Sequence, residues 1–108
     1  MKISELGRHL AFELLTGTED CAIHGGYTSD LLSDVMANAK AEDMLITIQA
    51  HKNAVAVASH VDAPAMMICN NRPVGEDVLE AAAEHGITIC RTTHNQFTVS
   101  GILYALLR

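Results

Sequence analysis

Three short apolar runs, separated by helix-patterned stretches, constrain this chain more than any other feature. The first is Met44-Leu45-Ile46-Thr47-Ile48, the second Ala65-Met66-Met67-Ile68-Cys69, the third Ile87-Thr88-Ile89-Cys90. Continuous apolar runs of this length are the pattern of strands buried on both faces. Asn53 to Val61 lies between the first two. Its Ala/Val alternation suits a strand, but its three Ala and its place between two better strands favour a short helix packed closely on a sheet. Pro64 then sets a boundary. Gly75 is placed to cap the next helix, with Glu76 and Asp77 in the first turn, where the helix dipole favours acids. Val78, Leu79, Ala82 and Ala83 recur at helical spacing, and His85-Gly86 supplies the stop. Thr93-His94-Asn95-Gln96 fits a capping box, and the last helix offers Phe97, Ile102, Leu103, Leu106 and Leu107 for burial. Strand and helix alternating at this spacing predict right-handed βαβ units: an α/β fold with a mostly parallel sheet and helices packed on it.

The first half is less regular. Ser4 is placed to cap a short helix through Leu10. Ala11–Leu15 and Cys21–His24 read as strands joined by the polar turn Thr16–Asp20. Leu31, Leu32, Val35, Met36 and Ala39 form one helical face, with Ser29 as the cap. Gly25-Gly26 reads as a bend or a close backbone approach.

A chain of 108 residues is expected to be a single domain over its whole length. It is 49% hydrophobic, only 4% aromatic and 19% charged, which suits a small domain that hides part of its surface in an oligomer. The net charge of −6 argues against non-specific nucleic-acid binding, which needs a basic face. No run is long enough to cross a membrane, and Met1–Glu5 holds no apolar signal core, so a cytoplasmic location is expected. Cys21, Cys69 and Cys90 are isolated and read as reduced thiols.

In open parallel sheets, ligands bind beyond the carboxyl ends of the strands. Here those ends lead into Gln49-Ala50-His51-Lys52-Asn53, Asn70-Asn71-Arg72 and Arg91-Thr92-Thr93-His94. Lys52, Arg72 and Arg91 gather there, beside helix N-termini that favour anions. The candidate contacts for a small anionic ligand, a nucleotide or a phosphometabolite, are Gln49, His51, Lys52, Asn53, Asn71, Arg72, Thr92 and Thr93. Polar loops and N-caps explain the same residues without a ligand.

Catalytic motifs are missing. His24-Gly25-Gly26-Tyr27 matches neither a Walker loop nor a dinucleotide fingerprint. The six histidines show no i, i+4 metal spacing, and no serine has a nucleophile-elbow context. Asp30 and Asp34, four apart, read as solvated helix carboxylates. No catalytic residue and no metal ligand is assigned.

Gly26-Tyr27-Thr28-Ser29-Asp30-Leu31-Leu32-Ser33-Asp34-Val35-Met36, Ile46-Thr47-Ile48-Gln49-Ala50-His51 and Asn53-Ala54-Val55-Ala56-Val57-Ala58 together resemble the small stand-alone members of the DRTGG-domain family. The resemblance runs on to the terminal helix at Gly101-Ile102-Leu103-Tyr104. It implies an α/β domain related to the N-terminal domain of HPr kinase/phosphorylase, of a kind found beside catalytic modules, regulatory or structural and often dimer-forming. Where many members carry a Gly-Asp-Arg-type loop, this chain has Gln49–Asn53, so no ligand role is carried over. The expectation is a non-catalytic regulatory or interaction module, acting as a homodimer or with a partner protein and needing no cofactor. The alternative is the small-anion sensor at the strand ends. A third reading, an iron–sulfur or redox protein of a hydrogenase system, has no cysteine pairing behind it.

Overall fold

The parallel sheet is built from β2 (Gly25–Thr28), β3 (Asp43–Thr47), β4 (Ala65–Ile68) and β5 (Thr88–Arg91), adjacent in chain order. A fifth strand, β1 (Glu13–Thr16), lies antiparallel beside β5, giving the order β1-β5-β4-β3-β2. A computed structural model describes residues 1–108. Register runs evenly from Gly26 opposite Met44 to Leu45 opposite Met66 and Met67 opposite Cys90.

Helices α2 (Leu32–Asn38), α3 (Lys52–His60) and α4 (Glu76–Glu84) connect successive parallel strands. Right-handed crossovers between neighbours taken in order all fall on one face of a sheet. One apolar cluster accordingly joins Val35, Val55, Ala58, Val78 and Ala82 to Leu45, Met66, Ile68 and Ile89. The opposite face is covered by α1 (Ile3–Leu6) and α5 (Gln96–Leu107). There Ile3, Leu6, Val99 and Leu103 pack on Met44, Ile46, Met67 and Cys90. Side chains alternate between faces along a strand. The three apolar runs therefore feed both clusters at once, and β4 is buried throughout.

The three strands and the helices at 52–60 and 76–84 lie where the periodicity puts them, within a residue or two. Gly86, at φ +68°, follows the end of α4 in the left-handed conformation that suits glycine. The N-terminal half departs more. Cys21–His24 makes only an isolated bridge, Ala22 to Lys2, and the strand is Gly25–Thr28 instead. The Gly25-Gly26 bend is thus a strand, although the close approach is real: a Cβ on Gly26 would come within 2.9 Å of Leu103 Cδ2. The first helix stops at Leu6 and starts from Lys2 rather than Ser4. Its start is fixed by Ile3 N–H and Ser4 N–H donating to the Cys21 and Glu19 carbonyls.

Two further caps move. The N-cap of α2 is Leu31, and the Ser29 hydroxyl accepts from Leu31 N–H in a turn one step earlier. The N-cap of α5 is Asn95, whose side chain accepts from Thr98 N–H at 2.9 Å. Thr93 is displaced from that role because Thr92 Oγ1 already accepts from His94 N–H, forming a turn ahead of the helix. Leu31, Met36 and Phe97, read from the sequence as core, are exposed. Each lies on, or for Leu31 just before, a helix flanking the edge strand β2, where no further strand or helix covers it.

Candidate functional site

The carboxyl edge is organised by Asp30, just beyond β2. Its Oδ1 accepts from Thr47 Oγ1 at 2.8 Å, Ile48 N–H at 2.9 Å and Gln96 Nε2 at 3.0 Å. Gln49 Nε2 donates to the Asp30 carbonyl at 3.0 Å. This carboxylate ties β2, β3 and the first turn of α5 together, so the reading of Asp30 as a solvated helix carboxylate is corrected. Nothing local in the sequence marks it, because Gln96 stands 66 residues away.

The eight predicted contacts do not form one site. His51, Lys52 and Asn53 line a shallow recess of about 380 Å³ with Gly75 and Asp77. Gln49 is bound to Asp30 instead. Thr92 is buried, and its hydroxyl donates to the Ala11 carbonyl at 2.8 Å. Asn71, in the left-handed region at φ +50°, donates its N–H to the Thr92 carbonyl. Arg72 and Thr93 are exposed and lie outside the recess. Arg91, counted among the strand-end cations, is committed to Glu13 at 3.1 Å across β1 and β5. The parallel strands follow chain order without reversal, so the crevice that a switch of strand order opens does not arise between them.

A larger concavity lies elsewhere. A groove of about 910 Å³ runs between β2 and α5, with Lys40, Asp43 and Arg108 at one end. Three of the four aromatic residues of the chain, Tyr27, Phe97 and Tyr104, line it. Phe97 and Tyr104 are seven apart and share one face of α5, 87% and 70% exposed. Tyr27 O–H donates to Asp34 Oδ2 at 2.7 Å. That bond, helped by Asn38, holds the Asp34 carboxyl below its usual range, and the same bond to Asp34, with burial, pushes the Tyr27 phenol up against the effect of Asn38. Thr28 Oγ1 and Ser100 Oγ lie 2.6 Å apart across the groove wall. Lys40 and Arg108 have no carboxylate partner. The sequence did not mark this groove, since its other wall and Lys40 come from segments far from α5 in the chain.

Burial pushes the Cys69 thiol up to about 11 and the Cys90 thiol to about 12, and raises Cys21 as well. No three His, Cys, Asp or Glu side chains gather as a metal site. One hydroxyl–imidazole contact exists, Ser59 Oγ to His85 Nδ1 at 3.3 Å. It is exposed, and neither residue lines the groove or the recess.

The fold is a five-stranded, mostly parallel α/β domain. It is similar to a solved structure of the CBS and DRTGG domains of the regulatory region of a Clostridium perfringens pyrophosphatase, crystallised with the activator diadenosine tetraphosphate. The TM-score is 0.74 at 14% identity, over 94% of this chain and 45% of that one. This chain therefore matches less than half of the regulatory region. No family model and no curated protein matches the sequence. No helix is long and apolar enough to cross a membrane.

Proposed function

We propose that this chain is a non-catalytic regulatory module that works by pairing with a second copy of itself along β2. The carrying observation is the flank of that strand. Four of the five exposed large apolar side chains belong to the elements on its two sides: Leu31 and Met36 at α2, Phe97 and Tyr104 on α5. An edge strand presents unpaired N–H and C=O groups that template another strand. Two β2 strands related by a twofold axis would pair antiparallel, and both apolar flanks would be covered by the same operation. A stable interface of this kind buries about 1,600 Å² in total. The fold shared with a regulatory region supports the reading.

Sedimentation velocity across a dilution series tests it. The expected result is a two-chain species that dissociates on dilution and is absent in the double variant Phe97→Ser, Tyr104→Ser. A wild-type chain that stays monomeric at high concentration would sink the proposal.

A second reading keeps a small-anion sensor at the strand ends. Lys52 has no carboxylate partner and opens α3, whose N-terminus carries no side-chain cap. The regulatory region of similar fold was crystallised with a polyphosphate nucleotide. Asp77 in the same recess opposes an anion. A thermal-shift screen of phosphorylated metabolites decides: ligand at a hundred times its Kd adds about 2.7 kcal/mol of stability. Lys52→Ala should abolish the shift.

A further inference from the structure

We propose that the groove between β2 and α5 is a ligand site for a flat aromatic ring carrying an anionic group, the nucleotide class of small molecule. The chain is 4% aromatic and carries a net charge of −6, yet this groove presents two freely exposed aromatic rings, Phe97 and Tyr104, and two of its seven Lys and Arg residues, while the Tyr27 ring packs on the opposite core and is bonded to Asp34. Phe97 and Tyr104 are held by α5 but covered by nothing in the fold. A flat ligand ring can stack on either side chain, and stacking accepts any heterocycle.

On the strand side Gly26 is covered by Leu103 and Gly25 lies against Asp43, so the open part of the groove runs along α5, where the Cβ position of Gly101 is free. Thr28 and Ser100 offer hydroxyls beside it, suited to a sugar. Lys40 and Arg108 stand at the far end with no carboxylate to satisfy them, where a phosphate would take charge-assisted hydrogen bonds. Two acids near that end, Asp43 and Glu42, oppose an anion, as Asp77 does in the other recess. The Asp43 carboxylate accepts from Lys40 N–H, and Glu42 pairs with His24 at 3.2 Å. Phe97 to Arg108 spans about 16 Å of helix, room for a base at one end and phosphate at the other. The volume, about 910 Å³, falls within the range of small-molecule sites.

A second copy would lie along this same groove, so ligand and partner would exclude one another. That consequence rests on the pairing reading; the ligand site itself does not.

Isothermal titration of the full chain, below any self-association, tests the site with AMP and ATP, and with adenosine and inorganic tripolyphosphate as the separate halves. Both nucleotides are expected to bind, each half at least tenfold more weakly. Phe97→Ala and Tyr104→Ala should each weaken AMP about tenfold. Lys40→Ala should weaken AMP and ATP but leave adenosine unchanged. All three side chains are exposed, so these variants fold. No nucleotide binding at millimolar concentration overturns the site. So does tripolyphosphate binding as tightly as ATP and unaffected by Phe97→Ala. Loss of binding in Lys52→Ala with Lys40→Ala unaffected moves the ligand to the strand ends and also overturns it. Sedimentation with and without AMP separates the two proposals. A monomer that binds AMP removes the pairing and keeps this site; a dimer that binds neither nucleotide does the reverse.

Discussion

Asp30 Oδ1 and Gln96 Nε2 meet at 3.0 Å, closing the end of β2 onto the first turn of α5 across 66 residues of chain. The same oxygen takes Thr47 Oγ1 and Ile48 N–H. Removing it leaves Thr47, which is fully buried, without its acceptor. Hydrogen bonds to a charged group contribute about 1.5–3 kcal/mol each and do not add fully. Asp30→Ala is expected to cost about 2–4 kcal/mol in urea denaturation. Gln96→Ala, which leaves the other two donors in place, should cost about 1 kcal/mol. Equal losses for the two would contradict the shared-acceptor arrangement.

Gly17 and Gly101 should respond oppositely to alanine. Gly17 sits at φ +92°, and a Cβ there would collide with the Thr88 backbone on β5. Gly17→Ala combines left-handed strain with overpacking and should cost about 2 kcal/mol or more. Gly101 is mid-helix with open space around its Cβ position. Gly101→Ala should stabilise by about 1 kcal/mol through helix propensity. Melting temperatures of the pair check both signs.

The Tyr27–Asp34 bond gives a pH dependence with a defined sign. The folded-state pKa of Asp34 lies below its ordinary value of 3.8. Its contribution to stability is therefore complete above that value and is lost as pH falls through the folded pKa. Tyr27→Phe removes the main cause. NMR titration should show the Asp34 carboxyl midpoint rising towards 3.8, with α2 less protected from hydrogen exchange. An unchanged midpoint would contradict the assignment.

Thiol reactivity should divide by burial. Cys69 and Cys90 are fully buried and stay protonated at neutral pH. The thiolate is the reactive form, so neither should react in the folded state. Cys21 is part-exposed and its thiol is raised less. A disulfide reagent at pH 8 should modify one thiol slowly and the other two only on unfolding. Rapid reaction of all three would mean that the α5 face opens readily.

The readable half of the chain is the half in which one local pattern decided one element. Met44–Ile48, Ala65–Cys69 and Ile87–Cys90 read as strands because their shortness and continuous apolar character fit a sheet covered on both faces. The N-terminal half failed where a remote partner decided the outcome. Gly25–Thr28 has poor strand propensity and pairs because β3 offers a parallel edge. Thr93 looked like a cap until the Thr92 hydroxyl took the preceding turn.

The candidate site divides in the same way. Sequence placed Gln49, His51, Lys52, Asn53, Asn71, Arg72, Thr92 and Thr93 near strand ends, but whether a polar group faces solvent or a neighbour is a tertiary matter. Gln49 and Thr92 turned inward to Asp30 and Ala11. Arg91 found Glu13.

By itself the sequence determined a parallel α/β sheet with an aliphatic core, since hydrophobic period and length are local properties that burial must satisfy. Only the tertiary structure decided which edge stayed open and which side chains stood beside it. Phe97 and Tyr104 stand beside β2 because α5 folds back over that strand, where Gly26 lets Leu103 approach. Helical spacing puts Phe97 and Tyr104 on one face of α5, but no spacing in the chain encodes the docking of that helix on β2.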